Sequence, residues 1–215
     1  MAEDRTVVHL LRHGEVHNPE KVLYGRLPGY RLSTLGEQMA DRAASALADH
    51  DIALVVSSPM ERAQQTAAPV ALHHGLEIVT NEDLIEADNV FEGQRVSVGD
   101  GVLKQPSTWK HLYNPFRPSW GEPYEVVARR MRAAIRTARD SAKGREAVLV
   151  SHQLPIWVAR LDAENRRLWH DPRSRQCTVA SLTSLTFDER DALVSIAYTE
   201  PSRDLLEKAS RIAGA

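Results

Sequence analysis

The chain has 215 residues, 42% of them apolar, 26% charged and only 6% aromatic, a make-up that suits one large globular core and excludes a disordered or fibrous polypeptide. A formal charge of −2 excludes a global field for nucleic acid or an anionic membrane, so any anion site has to be built locally. The sole cysteine, Cys177, excludes an internal disulfide, which suits a reducing cytoplasm.

Met1-Ala2-Glu3-Asp4-Arg5 precedes a five-residue apolar run that is too short, and too acidic at its start, for a signal peptide. No apolar run is long enough to span a bilayer, and a cytoplasmic location is expected. Residues 7–11 read as a buried strand that ends abruptly in Arg12-His13-Gly14-Glu15. Residues 18–33 form a Gly-, Pro-, Tyr- and Arg-rich loop, after which Thr34-Leu35-Gly36-Glu37 has capping-box spacing and opens a helix to about Asp49. Residues 52–56 predict a second buried strand. In Ser58-Pro59-Met60-Glu61, Ser58 is suited to cap, Pro59 to the first helical position and Glu61 to closing the box. That helix is expected to run to about His74 and stop at Gly75, with a third strand at 76–79.

Periodicity fades between 82 and 122, where Trp109, Tyr113, Phe116 and Trp120 crowd among Pro106, Pro115 and Pro118; the stretch 94–122 reads as an inserted cap or lid. Pro123 begins a long helix with Val127, Met131, Ala134 and Ala138 on one face and Arg129, Arg132, Arg136 and Arg139 on another. The arginine stripe reads as a solvated face, with Glu125 placed to pair with Arg129, because the chain is not basic overall. Residues 147–150 predict a fourth buried strand ending in Ser151-His152, and Pro155 helps launch another helix. Residues 178–187 and 193–198 suggest a hairpin about a polar turn. The fold class is α/β: three layers, α/β/α, on a mostly parallel sheet with a C-terminal hairpin, in a single domain.

Ligands of open α/β sheets bind at the carboxyl ends of the strands. Arg12 and His13 follow the first strand, Arg62 lies just beyond the second, and His152 follows the fourth. A cation in a first helical turn opposes the macrodipole, so Arg62 is poorly placed for helix stability unless an anion resolves the conflict. His9, His13 and His17 recur every four residues, the spacing of a metal site on a helix, but the segment reads as strand then loop, and no metal site is expected.

Leu11-Arg12-His13-Gly14-Glu15 resembles the signature of the histidine phosphatase superfamily, also called phosphoglycerate mutase-like. Leu32-Ser33-Thr34-Leu35-Gly36-Glu37-Gln38 is similar to the segment after that signature, and Ser57-Ser58-Pro59-Met60-Glu61-Arg62-Ala63-Gln64-Gln65-Thr66-Ala67 to the second motif. Leu84-Ile85-Glu86, followed by Phe91-Glu92-Gly93, resembles the acid-bearing motif, and Val148-Leu149-Val150-Ser151-His152 the last one. Four motifs in order across residues 7–157 are far more specific than a lone Arg-His-Gly.

The resemblance implies that His13 is the nucleophile, that Arg12, Arg62 and His152 bind the phosphoryl group, with Asn18 as a further phosphate contact, and that Glu86 is the general acid. The phosphoryl group in transfer spreads charge over three equatorial oxygens that need fixed donors, which two guanidiniums and a protonated imidazole supply. The scheme needs no metal and no cofactor, and its partner is a small phosphomonoester rather than nucleic acid or membrane. Asn18 falls one residue earlier than the family's asparagine, Glu122-Pro123 stands where many members have Glu-Ser, and Gln153 replaces the usual glycine. The acid motif is one residue shorter between Glu86 and Glu92. Hydrolysis is the favoured reaction, since the 94–122 stretch does not resemble that of the glycolytic mutases; a mutase-type transfer, or a non-catalytic phosphate-binding module on the same fold, are the alternatives.

Overall fold

The computed structural model describes residues 5–94 and 121–209. The expected cap at 94–122 lies almost wholly outside the described residues. Six strands, β1 (Thr6–Arg12), β2 (Ile52–Ser57), β3 (Ile78–Thr80), β4 (Glu146–Ser151), β5 (Leu182–Phe187) and β6 (Leu193–Thr199), form one sheet in the order β3-β2-β4-β1-β5-β6. Pairing is parallel from β3 to β1, and β5 and β6 add the antiparallel hairpin at one edge.

The central strands β1 and β4 carry apolar residues on both faces and are buried on both, as strands of a helix-covered parallel sheet must be. Helices α1 (Thr34–Ala46) and α2 (Glu61–His74) cover one face, where Ala43, Leu47, Ala67 and Val70 pack on Leu11, Val55, Val148 and Val150. Helices α3 (Tyr124–Ser141) and α4 (Gln153–Ala163) cover the other, where Val127, Met131, Ile156 and Val158 pack on Val8, Leu10, Ala147 and Leu149. The layers are therefore α/β/α, as the sequence implies. β1 is followed by a helix on one face and its neighbour β4 by a helix on the other. Their carboxyl ends thus form the switch point at which such sheets bind ligands.

Several local expectations are corrected. The cap of α1 is Ser33, whose hydroxyl accepts from the Gly36 amide at 3.0 Å, and the helix ends at Ala46 rather than near Asp49. Ser58 is not the N-cap of α2, which begins at Glu61 after Met60; its hydroxyl takes a 3.4 Å bond from the Met60 amide and a shorter one, 2.8 Å, from His152. Gly75 stops α2 in the left-handed region at φ 63°, as predicted, but the Leu76 amide then bonds back to Ala71 at 2.9 Å, so β3 starts only at Ile78. On α3 the predicted apolar face is buried, while Arg129, Arg132 and Arg136 are exposed and Arg132 forms a forked pair with Asp162.

Candidate active site

The chain turns out of β1 at His13 and out of β4 at His152, and the backbone pins the two exits together: the His13 amide donates to Ser151 at 3.1 Å and the Ala180 amide to His13 at 3.2 Å. Their rings lie 5.1 Å apart, centroid to centroid, tilted by 59°. Gly14 lets the turn close, since a Cβ there would run into the backbone carbonyl of Gly36, and one on Gly36 into that of Glu15. Two glycines thus allow the start of α1 to press against the exit of β1. The Gly14 amide also donates to the Thr66 hydroxyl at 3.1 Å, tying the exit to α2.

Four of the predicted residues, Arg12, His13, Arg62 and His152, gather at this point, all buried. His13 has no solvent exposure, and its Nδ1–H donates to the Gly14 carbonyl at 2.8 Å. That bond fixes the tautomer, leaving the Nε2 lone pair buried and without a hydrogen-bond partner among the described residues. Burial, then the charges of Arg62 and Arg12, hold the ring well below the usual histidine range, so it is neutral and nucleophilic. Arg12 is anchored by donation to the Cys177 carbonyl at 2.7 Å. Arg62 donates to the Gly25 carbonyl at 2.6 Å and lies over the Tyr24 ring at 4.8 Å, while its Nε and second terminal nitrogen are buried without partners among the described residues. Buried donors of this kind are rare, and an anion satisfies them.

His152 corrects an expectation. Arg62 donates to its Nδ1 at 3.2 Å and Nε2 lies 2.8 Å from the Ser58 hydroxyl, so the ring is neutral, with its proton on Nε2. Burial, followed by the Arg62 charge, drives its pKa well below the usual value. It enters the site as a neutral hydrogen-bonding group rather than as the protonated imidazole anticipated from sequence.

Glu86 is also buried; its Oε1 accepts from the Ala87 amide at 2.8 Å and its Oε2 has no partner among the described residues. Burial raises its pKa, against the opposing pull of that amide, Arg62 and Arg12. The carboxyl is thereby placed to hold a proton where a free glutamate would not. Its loop is braced by Arg26, which donates to the Glu86 carbonyl at 2.7 Å and to Glu122 at 2.9 Å, and Arg130 takes Glu122 from the other side. A cavity of about 100 Å³ opens beside Glu86, lined among others by Leu23, Gly25, Tyr124 and the half-buried Arg175.

Asn18 is engaged differently from the rest. Its amide nitrogen donates to the Val22 carbonyl at 2.8 Å and its oxygen accepts from the Val22 amide at 3.1 Å, so both ends close the 18–22 turn. His9, His13 and His17 do not come together as ligands. The sequence reading missed Tyr24, which supports Arg62, and the positioning roles of Ser58 and Thr66. Ser58 and Thr66 stand inside a quoted motif, but only the tertiary contacts show which side chains they hold.

The family model described as histidine phosphatase superfamily (branch 1) matches residues 8–198. The uncharacterized protein Rv0525 of Mycobacterium tuberculosis is 54% identical over 199 residues, covering 93% of this chain and 98% of that protein. The probable phosphoglycerate mutase GpmB of Shigella boydii is 29% identical over 171 residues, covering 71% of this chain and 78% of that protein. Among solved structures, the mycobacterial glucosyl-3-phosphoglycerate phosphatase Rv2419c superposes with a TM-score of 0.71 at 25% identity, covering 91% of this chain and 96% of that one.

Proposed function

The chain belongs to the histidine phosphatase superfamily, whose members are phosphatases or mutases, and from that membership we propose that it hydrolyses a small phosphomonoester through a phosphohistidine at His13. The observation that carries the proposal is a neutral His13 whose Nε2 has no partner among the described residues, gathered with the buried guanidiniums of Arg12 and Arg62 and a buried Glu86 of raised pKa. Nε2 attacks phosphorus in line as the bond to the leaving oxygen breaks, and Glu86 gives that oxygen its proton. Arg12 and Arg62 hold the equatorial oxygens, and His152, whose ring nitrogens are engaged by Arg62 and Ser58, keeps the Arg62 guanidinium oriented toward them. Glu86, now a carboxylate, takes a proton from the water that attacks phosphohistidine, which frees His13 and inorganic phosphate. Every proton and electron pair is accounted for by these groups, so the scheme runs without a metal.

Asn18 is given a loop-closing role, with any phosphate contact made through the turn it holds. The likeness to a glucosyl-3-phosphoglycerate phosphatase supports the hydrolytic reading, and that to a probable phosphoglycerate mutase supports transfer to a second hydroxyl as the alternative. A single domain with 94–122 as its cap, acting in the cytoplasm, belongs to the same proposal; among the described residues no helix is long and apolar enough to cross a membrane.

The test is hydrolysis of an activated aryl phosphate in the presence of a chelator, parent against His13→Ala, with acid-labile phosphate on the protein measured after a brief pulse. Turnover and labelling by the parent alone are expected. Equal turnover by both proteins rules out His13 as nucleophile, and labelling that passes to an added alcohol rather than to water favours the mutase reading.

A further inference from the structure

At the opposite end of the sheet from His13, three side chains from separate segments converge on one point. His9 projects from the middle of β1, His50 lies in the connection between α1 and β2, and Glu146 opens β4. His9 Nε2 is 2.6 Å and His50 Nδ1 2.7 Å from the same carboxylate oxygen of Glu146, and the three potential ligand atoms all lie within 4.8 Å of one another. Four residues of strand, about 13 Å, separate His9 from His13, so this cluster is no part of the phosphoryl site.

We propose that His9, His50 and Glu146 form a structural site for a divalent transition metal, zinc by preference. Two imidazoles and one carboxylate suit a borderline-soft ion and make the three protein ligands of a tetrahedral site, with water as the fourth. Tetrahedral zinc holds its ligand atoms about 3.3 Å apart, so each imidazole nitrogen backs off the shared carboxylate oxygen by about 0.6–0.7 Å and the two nitrogens, at most 4.8 Å apart, close by up to about 1.5 Å.

The second observation is the support behind His9. Its Nδ1 lies 2.8 Å from the Ser184 hydroxyl, on the strand residue paired with it across β1 and β5. A histidine that coordinates through Nε2 keeps its ring proton on Nδ1 and needs an acceptor there, which Ser184 provides. Metal entry replaces the hydrogen bonding now shared between the two imidazoles and Glu146. His9 then keeps its proton on Nδ1 and His50 on Nε2, and any proton beyond these passes to solvent.

Electrostatics favour a cation as well. The adjacent Arg145 is committed to Asp51 at 2.6 Å, so the pair is neutral and Glu146 is left as the net charge facing the two rings. His50 is 41% exposed in its side chain, which gives the ion a way in. The bound ion would clasp β1, β4 and the α1–β2 connection together at the foot of the parallel sheet.

The experiment uses the full chain, stripped with a chelator and dialysed, then titrated with zinc against a chromophoric indicator of micromolar affinity and, separately, with cobalt(II). About one equivalent of zinc taken from the indicator and a visible ligand-field band with cobalt are expected. His50→Ala, a truncation at a half-exposed position that leaves the core intact, is expected to abolish both. Ser184→Ala is expected to weaken zinc about 10-fold or more, and His13→Ala to leave the titration unchanged. Failure of the parent to compete with the indicator, or a titration that His50→Ala leaves intact or His13→Ala removes, overturns the proposal. The readout is binding, so it stands whether or not the phosphatase reading holds.

Discussion

Lowering the pH from about 6.5 to about 5.5 is expected to destabilise the fold by about 2 kcal/mol through His13 and His152 alone. Both rings are completely buried, and burial, then the Arg62 charge, holds each pKa well below the 6.5 of an unfolded histidine. Below that value the unfolded chain takes up protons that the folded chain refuses. The stability is therefore present in full above it and is lost as pH falls toward the folded pKa. For one such group the loss across the first pH unit is RT ln(11/2), about 1 kcal/mol, and two groups double it. Glu86 acts in the opposite direction, since burial raises its pKa, and His170 in the same direction, since burial lowers its pKa. Both cancel when parent and variant are compared. Urea melts of the parent, His13→Asn and His152→Asn at the two pH values isolate each ring, and each variant is expected to lose about 1 kcal/mol less than the parent over the interval. A pH dependence identical in parent and His13→Asn would mean that His13 titrates alike in folded and unfolded chains, and the neutral-nucleophile argument would fall.

Glu86→Gln is expected to lower kcat about 10²- to 10⁴-fold on an alkyl phosphate and far less on an activated aryl phosphate, whose leaving group needs no proton; equal losses on both would sink the general-acid role. Ser58→Ala deletes the acceptor at 2.8 Å from His152 Nε2 and is expected to cost about 1–3 kcal/mol in a denaturant melt, with a fall in kcat as the ring loses its support. Gly36→Ala forces a methyl into the backbone carbonyl of Glu15 and is expected to cost about 1–3 kcal/mol with the helix content preserved; an unchanged melting temperature would show that α1 shifts away from the signature turn freely.

What the sequence disclosed and what it withheld divide along a physical line. Strand exits and helix stops are local: the apolar runs of β1, β2 and β4, the polar residue after each, and Gly75 all act within a few residues, and their reading survives in the structure. Partnerships across the chain are not local. Ser58 carries every mark of a helix cap, yet its hydroxyl takes only a long 3.4 Å bond from the Met60 amide, and His152, arriving from β4, is its closer partner at 2.8 Å. The charge of His152 is hidden from the sequence for the same reason, because its protonation depends on complete burial and then on the nearby Arg62 charge, neither of which spacing encodes. Asn18 stands one residue earlier than the family's asparagine, and its short turn gives the Val22 backbone first claim on both ends of the amide. The metal-like spacing of His9, His13 and His17 fails because a strand and a loop lack the helical repeat, while His9, His50 and Glu146 meet because α1 returns the chain to the foot of β2 beside β4.

The placement of Arg62 shows why this arrangement is a site rather than core. It has no solvent exposure, stands in the first turn of α2 against the helix dipole, and keeps two buried donors without partners among the described residues. A residue selected for packing would be apolar here, and one selected for a structural ion pair would have a carboxylate against the guanidinium. What it has instead is a backbone carbonyl from Gly25, a ring face from Tyr24 and a neutral His152. All of these orient the cation and none neutralises it. The nearby carboxyl, Glu86, is pushed by burial toward its uncharged form, which weakens its hold on the cation. The Arg62 charge is thus held fixed, with no carboxylate bonded to it among the described residues, inside a chain that is slightly acidic overall. Among common ligands, an oxyanion with several oxygens and close to two negative charges is the one that satisfies those donors together, and it does so within reach of the one imidazole nitrogen in the cluster left with its lone pair free.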